Sequence, residues 1–414
     1  MKLLFYFYCY IFNFMLFIVF YGYICRKIDR VMESRTIYNG PYYRYDMNLL
    51  DRTIETCTSA AQKHNCRLFY AIKANNESPI TTRIRKQGIG VDCVTHGEIN
   101  YALRQGWNTS EIVFAGSGKT IREIDYALRN NIGVIHCECP EEFEIIQSLK
   151  TSLESDTSIA LRINPDVKVD THEKISTGEK HHKFGMSVNE AKALITNFPT
   201  EIVGLHFHVG SQITDLSYFE DLSLTVRGII EKLPTGYELS YLNLGGGLGI
   251  DYTNPLRNSI ADFEGWMRAL RTYLPESVID TIFLEPGRSI VAQCGQLVGE
   301  VQYIKHRKTN PTAILDVGMT ELMRPALYEA RHKVTANKDE LIEQRYTISG
   351  PTCESSDTFG AGHSLPELER GDLITIHSAG AYGSSMRLNY NLRESIPSEY
   401  IESQVKTYLK RKVA

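Results

Sequence analysis

The sequence predicts an α/β protein: a closed (β/α)8 barrel of the TIM type followed by a C-terminal β-rich domain. Three observations lead there. The chain has 414 residues, more than one minimal core needs and suited to one large barrel with a smaller companion. Past residue 40, short apolar runs rich in β-formers alternate with longer amphipathic stretches. Eight such units within about 250 residues are what a barrel of parallel strands requires. From about residue 295 the alternation stops, and strand-like runs follow one another with few helical stretches between.

The barrel strands are expected at Arg67–Ala74, Gly90–Thr95, Glu111–Gly116, Gly133–Cys139, Ser158–Asn164, Ile202–Gly210, Glu238–Gly247 and Thr281–Arg288. Helix-like stretches such as Glu98–Gln105 and Glu141–Leu149 separate them. A doubly wound open sheet permits the same pattern. Eight units with no phosphate loop after the first strand favour the barrel. The later strands are expected at Val298–His306, Ala313–Gly318, Arg345–Cys353 and Asp372–Gly380. The resulting division is a barrel over residues 45–290, and a β domain built from 26–44 and 291–414.

Composition narrows the function classes. The net charge is −4 with acids and bases interspersed, so no basic face marks a nucleic-acid binder. Nine cysteines, an odd count at non-repeating spacings, argue against a secreted disulfide framework and favour a reducing compartment. Cys137-Glu138-Cys139 has no second Cys or His pair at zinc-ligand spacing. It reads as buried strand cysteines, and no metal is expected.

Residues 1–25 stand apart. The run 3–24 carries no charge and has the length, about 20 residues, that spans a bilayer. Arg26, Lys27 and Arg30 follow it, which leaves the rest of the chain in the cytoplasm if the run is an anchor. No small-residue cleavage site follows, which disfavours a signal peptide. The other reading is a start codon placed too far upstream. The protein is expected in the cytoplasm under both.

Two motifs mislead. Gly116-Ser117-Gly118-Lys119-Thr120 resembles the end of a nucleotide-binding loop, but Val113 stands where its first glycine belongs. Gly245-Gly246-Gly247-Leu248-Gly249 resembles a dinucleotide fingerprint, but Ile250 replaces the last glycine. What remains there is a glycine turn whose N–H groups can cradle an anion.

Chemistry-bearing residues gather at the C-terminal ends of the expected strands, the face that carries the active site in this fold. Lys73 lies in YAIKAN, His208 in HFHVGSQ, and Glu285 to Arg288 in LEPGR. Taken singly, each has a plainer explanation. A strand-end lysine is usually solvated, a core histidine is usually just hydrogen-bonded, and a strand-end carboxylate is usually structural. Together they supply what pyridoxal phosphate (PLP) needs: a lysine to carry it, a phosphate grip, a carboxylate for the pyridine nitrogen, and a flat group against the ring.

The motifs YAIKAN, GVDCVTHGEI, RINPDV, ISTG with KFGM, HFHVGSQ, LNLGGGLGIDY, LEPGRSIV, DVGMTELMRPALYEA, GPTCESSD and SAGAYG occur in this order between Tyr70 and Gly383, within a likeness that runs from about Tyr38 to about Asn391. In them the chain resembles the alanine-racemase-type barrel enzymes that use PLP, and within these the diaminopimelate decarboxylase family. The resemblance implies that Lys73 carries the cofactor and that Glu285 pairs with its ring nitrogen. It implies that His208 stacks on the ring. Gly245, Gly246, Gly247, Gly287 and Ser211 meet the phosphate, and Tyr382 closes over the cofactor. Arg288 and Tyr382, which the resemblance places against both cofactor and substrate, join Arg324, Tyr328 and Glu354 in holding the substrate. Cys353 is the implied proton donor. The resemblance places Cys353 and Glu354 across a homodimer interface, so that the active sites are shared.

The implied reaction turns meso-2,6-diaminopimelate into L-lysine and CO2. Guanidinium forks suit a substrate with two carboxylates. Thr171–Gly178 followed by Lys183-Phe184-Gly185, and Cys353-Glu354 followed by Ser355-Ser356-Asp357, resemble the diaminopimelate branch. An ornithine-type relative would show aspartate directly after the cysteine. A racemase would want a second tyrosine base and no CESSD, and a non-catalytic homologue would lack the β domain. His96 departs from the family's small residue and is expected to face a loop.

Overall fold

The computed structural model describes residues 40–165, 183–307, 309–338 and 343–402. The apolar run 3–24 and the Thr171–Gly178 stretch lie outside the described residues. Strand β1 (Tyr42–Asp46) leads into helix α1 (Met47–Lys63). Asp46 ends the strand and starts the helix, because its side chain accepts from the free N–H groups of Asn48 and Leu49.

Eight strand-helix units follow. They are β2 (Cys66–Ala71) with α2 (Ser78–Lys86), β3 (Gly90–Cys93) with α3 (His96–Gln105), and β4 (Ile112–Phe114) with α4 (Ile121–Arg129). Next come β5 (Val134–Cys137) with α5 (Pro140–Leu153), and β6 (Ser158–Arg162) with α6 (Val188–Asn197). The last are β7 (Ile202–His206) with α7 (Ser217–Ile230), β8 (Tyr241–Asn243) with α8 (Phe263–Arg271), and β9 (Ile282–Leu284) with the short α9 (Arg288–Val291). Strands β2 to β9 close a parallel barrel, with Cys66 of β2 opposite Ile282 of β9. Local signals agree with this order. Thr120 with Glu123 and Ser187 with Glu190 form reciprocal capping boxes at the starts of α4 and α6.

The strands are shorter than the sequence suggests. The expected Glu238–Gly247 and Thr281–Arg288 contract to Tyr241–Asn243 and Ile282–Leu284. The expected Arg67–Ala74 stops at Ala71, and Ile72–Ala74 form a tight 3-10 turn. Past Ala71 and Asn243 apolar residues continue after the backbone leaves the ladder, while past Leu284 the Glu285-Pro286-Gly287-Arg288 stretch turns away from it at the barrel mouth.

The β domain comprises β10 (Gly295–Lys305), β11 (Thr312–Leu315), α10 (Arg324–Tyr328), β12 (Val334–Ala336), β13 (Glu343–Ser349), β14 (Thr358–Pro366), β15 (Leu373–Ile376) and β16 (Ser398–Ile401). Its sheet runs β12-β15-β10-β11-β13-β14, and β1 joins it through β10 and β16. Strand β14 had no sequence signal, since TFGAGHSLP lacks apolar alternation. It forms by antiparallel pairing along β13.

The two parts meet closely where Gly380 packs on the end of α9. A Cβ on Gly380 would lie 2.0 Å from the carbonyl oxygen of Val291, and one on Gly295 would lie 2.2 Å from the Cα of Gly380. Neither position has room for a side chain. Across this seam Asn75 Nδ2 donates to the carbonyl of Gly380 at 2.8 Å, and the Tyr382 N–H donates to the carbonyl of Ala74 at 2.8 Å.

Polar residues sit at the upper ends of the barrel strands: Asp92, His136, Arg162, His206 and Asn243, all buried. Arg162 is paired with Glu138 at 2.6 Å, and Glu138 also accepts from the Gly185 N–H. The rings of His136 and His206 stack at 3.9 Å between centroids. Asn243 Nδ2 donates to the Tyr241 hydroxyl at 2.8 Å, which leaves that hydroxyl to donate to His136 Nε2 at 2.9 Å. The bonding makes His136 neutral with its proton on Nδ1. Burial pushes both histidines well below the ordinary imidazole value, and neighbouring cations add to it.

Their titration has a definite sign. Both stay neutral in the fold and gain a proton when it opens, so stability falls as pH drops below the unfolded value of about 6.5. In the cofactor-free protein the variant His206→Asn is expected to flatten this dependence. Its unfolding free energy should change by about 1.4 kcal/mol less per pH unit between pH 6 and 5. Denaturant titrations of both proteins across that range measure it, and parallel pH dependences would show that His206 is not held neutral.

Candidate active site

The turn Ile72–Ala74 brings Lys73 to the barrel mouth, where it lines a cavity of about 200 Å³. The same cavity is lined by His208, Ser211 and Gly247 from the ends of β7 and β8. Glu285, Gly287 and Arg288 enter from the end of β9, and Tyr328 and Tyr382 from the β domain. Nine of the residues singled out in the sequence thus meet in one place. Gly245 and Gly246 adjoin it. A Cβ on Gly246 would lie 2.3 Å from the Glu285 carbonyl oxygen. One on Gly245, at φ +67°, would lie 2.6 Å from His208 Nδ1. The turn is therefore bare backbone against the cavity wall.

Lys73 has a partner that motif reasoning missed. Its Nζ lies 3.1 Å from Asp92 Oδ2. The lysine side chain is 38 % exposed toward the cavity, and the Asp92 side chain beneath it is fully sealed. Burial pulls the Lys73 ammonium down, but Asp92, with Tyr382 and Glu285, outweighs burial and holds it protonated. Burial raises the Asp92 carboxyl against the pull of Lys73. Asp92 lay inside the quoted GVDCVT run, where only strand character drew attention.

Glu285 is held on one oxygen. Asn243 Nδ2 donates to Oε1 at 2.8 Å, and His206 Nε2 and His136 Nδ1 approach the same atom at 3.4 and 3.8 Å. Oε2 has none of these contacts. His136, His206 and Glu285 are also the described residues whose ligand atoms cluster within 4.8 Å, as a metal would require. The stacked rings hold their nitrogens side by side rather than converging on a point, so the set reads as a support for Glu285. His208 accepts from the Gly246 N–H at Nδ1, at 3.1 Å. Burial first, then Lys73, pushes it well below the ordinary value, so its ring is neutral.

Arg288 is buried. It donates to the Tyr252 hydroxyl at 2.8 Å and to Ser211 Oγ at 2.9 Å, and lies over the Tyr382 ring at 4.8 Å. Its Nε has no partner among the described residues. Tyr382 holds this place with φ +57°, an uncommon conformation for a tyrosine. Arg324 does not line the cavity. It is buried behind Tyr252, with its guanidinium 4.5 Å from that ring's centre. Tyr252, from the GIDY end of a quoted motif, was not singled out, yet it touches both arginines.

Cys353 and Glu354 are absent from the cavity lining and stand exposed on the loop between β13 and β14. Buried Asp357 pins that loop by accepting from the N–H groups of Met319 and Thr352. The Tyr390 hydroxyl donates to Glu354. His96 opens α3, 47 % exposed, with Nδ1 3.4 Å from Glu123, and is outside the cavity lining. Lys119 of the false phosphate loop is consumed inside the protein: it donates to the carbonyls of Gly116 and His136 and to Glu142.

The arrangement fits pyridoxal phosphate. A lysine opens into the cavity, a carboxylate with a free oxygen lies at its floor, and a neutral imidazole flanks it. Bare glycine backbone, Ser211 and an under-satisfied buried guanidinium offer donors to an anion.

Known proteins agree with this geometry. Residues 50–292 match the family model described as pyridoxal-dependent decarboxylase, pyridoxal binding domain. The diaminopimelate decarboxylase of Bacteroides thetaiotaomicron is 40 % identical over 384 residues, spanning 91 % of this chain and 98 % of that protein. That of Zymomonas mobilis is 36 % identical over 399 residues, 94 % of each. The crystal structure of diaminopimelate decarboxylase from Helicobacter pylori complexed with L-lysine superposes with a TM-score of 0.83 at 35 % identity, covering 91 % of this chain and 94 % of that one. With a lysine, a carboxylate and an anion cradle converging in the barrel mouth, the chain belongs to the pyridoxal-dependent decarboxylases and, among them, to the diaminopimelate decarboxylase family.

Proposed function

We propose that this protein decarboxylates meso-2,6-diaminopimelate to L-lysine and CO2, the last step of lysine biosynthesis, with pyridoxal 5′-phosphate carried on Lys73. The observation that carries this reading is the pair of buried guanidinium groups, Arg288 and Arg324. Neither forms an ion pair with a carboxylate among the described residues. Buried unpaired cations are costly unless an anion joins them. A cofactor phosphate and a substrate with two carboxylates bring such anions.

The cofactor, when bound, supplies a protonated pyridine ring as a sink for the electron pair left behind by CO2. The protein's residues do the rest. Glu285, fixed through Oε1 by Asn243, would keep the ring nitrogen protonated. His208 covers one ring face. Gly245, Gly246, Gly247, Gly287 and Ser211 hold the phosphate, and Tyr382 shuts the mouth from the β domain. Lys73 would carry the cofactor, and Asp92, 3.1 Å from its Nζ, would hold the lysine as an ammonium whenever it is not so engaged. Arg288, Arg324 and Tyr328 take the substrate's carboxylates.

The proton that replaces CO2 comes from Cys353 Sγ, and Glu354 reads the distal amino group. Both stand exposed, outside the cavity lining of their own chain. We therefore propose a homodimer in which each chain lends Cys353 and Glu354 to its partner's cavity. The division into a barrel over 45–290 and a β domain from 26–44 and 291–414 belongs to the same reading. So does a cytoplasmic location, favoured by the unpaired thiols of Cys57, Cys93, Cys137 and Cys294.

Four outcomes test the reading. Purified full-length protein with cofactor should release CO2 from meso-diaminopimelate and not from L-ornithine, L-arginine or L-lysine, each supplied alone. Lys73→Ala should lose about a thousandfold or more in kcat. Release from ornithine or arginine instead would overturn the substrate. Glu285→Gln, which keeps the Asn243 contact but removes the charge, should bind cofactor and lower kcat by about a hundredfold. An undiminished kcat in that variant rules out Glu285 as the ring-nitrogen partner. Equal mixing of inactive Lys73→Ala and Cys353→Ala chains should restore about a quarter of the parent activity, because half the dimers then hold one intact site. No recovery, with exchange of chains verified, excludes shared sites.

A further inference from the structure

Arg324 is gripped from behind by a residue to which no role has been given. His332, buried between α10 and β12, lies with Nδ1 2.8 Å from the carbonyl oxygen of His377 and Nε2 2.8 Å from Arg324 Nη1. Both partners have fixed roles. A carbonyl only accepts, so Nδ1 carries the proton; a guanidinium only donates, so Nε2 offers its lone pair. The imidazole is thus neutral and locked in one tautomer. Burial, then the Arg324 charge, lowers it to about 3. Its ring edge meets Tyr252 at 4.9 Å, and the Arg324 guanidinium lies over the same tyrosine at 4.5 Å. Arg324 Nε remains without a partner among the described residues.

We propose that His332 is a positioning residue that sets substrate specificity: it fixes one N–H of Arg324 and holds the guanidinium on the Tyr252 ring, leaving the other donors for the substrate's distal carboxylate. The inference rests on the reading of Arg324 as a carboxylate-binding residue. The choice of a neutral partner has a physical reason. A carboxylate in this place would pair with Arg324 permanently, as Glu138 pairs with Arg162 at 2.6 Å, and would cancel the charge offered to the substrate. A neutral acceptor orients the cation and leaves its charge unspent.

The test compares ligands with and without the distal carboxylate on the cofactor-loaded enzyme. L-lysine, the product, retains that carboxylate; 1,5-diaminopentane has the same carbon chain without it. His332→Phe keeps a ring against Tyr252 but removes both hydrogen bonds. It should raise KM for meso-diaminopimelate and the inhibition constant of L-lysine by about tenfold. It should change kcat by no more than about twofold, with the inhibition constant of 1,5-diaminopentane and the visible absorbance of bound cofactor unaltered. His332→Gln, which presents an amide oxygen to Arg324, should recover most of the loss. Equal weakening of both inhibitors, or an unchanged KM, overturns the proposal. Should His332→Phe fail to fold, His332→Gln decides in its place through the same pair of inhibitors. In it, L-lysine affinity within about threefold of the parent's supports the role, and equal loss for both ligands refutes it. Arg324→Gln separates the two layers of argument. If it leaves KM unchanged, the reading of Arg324 itself is wrong; if it raises KM and His332→Phe does not, only the role of His332 is lost.

Discussion

The site depends on one close approach. Between the end of α9 and Gly380 the β domain lies on the barrel with backbone against backbone, since a Cβ on Gly380 would lie 2.0 Å from the carbonyl oxygen of Val291. This contact brings the Ala379–Gly383 loop within reach of the turn that follows β2. Asn75 and the carbonyl of Ala74 then tie that turn to Gly380 and Tyr382. Lys73 directly precedes these tethers. Its position at the cavity is set less by its own strand, which ends at Ala71, than by the domain packed over it. The left-handed backbone of Tyr382 is tolerated because its N–H is already bound to Ala74.

Beneath that lid the barrel mouth sorts charge by choice of partner. Where a charge must be permanently satisfied, the protein supplies the opposite charge, as with Arg162 and Glu138 or Lys119 and Glu142. Where a charge must remain available, it supplies neutral groups. Glu285 is held by the Asn243 amide, with a stacked pair of neutral histidines beside it that form no hydrogen bond to it. Arg288 is held by two hydroxyls, and Arg324 by an imidazole and an aromatic face. Neutral hydrogen bonds orient a buried ion at modest cost, whereas a counter-ion would quench it. Lys73 with Asp92 is the exception, an opposite-charge pair at the cavity itself.

Much of this was legible in the sequence. The alternation of strand and helix gave the barrel, and Lys73, His208, Glu285 and the Gly245–Gly247 turn stood at strand ends where the fold puts chemistry. The supporting residues were not legible. Asp92, His136, His206, Asn243 and Tyr252 are placed by barrel closure across strands far apart in the chain, and strand periodicity treats them as ordinary inward positions. His332 and His377 are paired only through the β-domain sheet. Strand ends were over-extended for a related reason: apolar residues such as Leu244 and Ile72 remain buried after the ladder stops, and composition does not distinguish a buried turn from a buried strand.

The CESSD loop closes the account of how the fold divides its labour. Its last residue, Asp357, is buried and accepts two backbone N–H groups, and Gly318 and Gly350 pack so tightly on its carboxylate that neither could carry a side chain. A loop anchored this firmly is not free to fold back into its own barrel. It holds Cys353 and Glu354 out to solvent, with the Tyr390 hydroxyl bound to Glu354. A rigid exposed thiol and carboxylate make little sense for a closed monomer and fit a surface that meets a second chain. On that reading the residues that bind the cofactor come from the barrel of one chain, while those that finish the substrate pocket come from the β domain of the other. Under the proposed dimer, assembly would be a condition of catalysis, because the cavity that Lys73 lines in one chain is not lined by that chain's own Cys353.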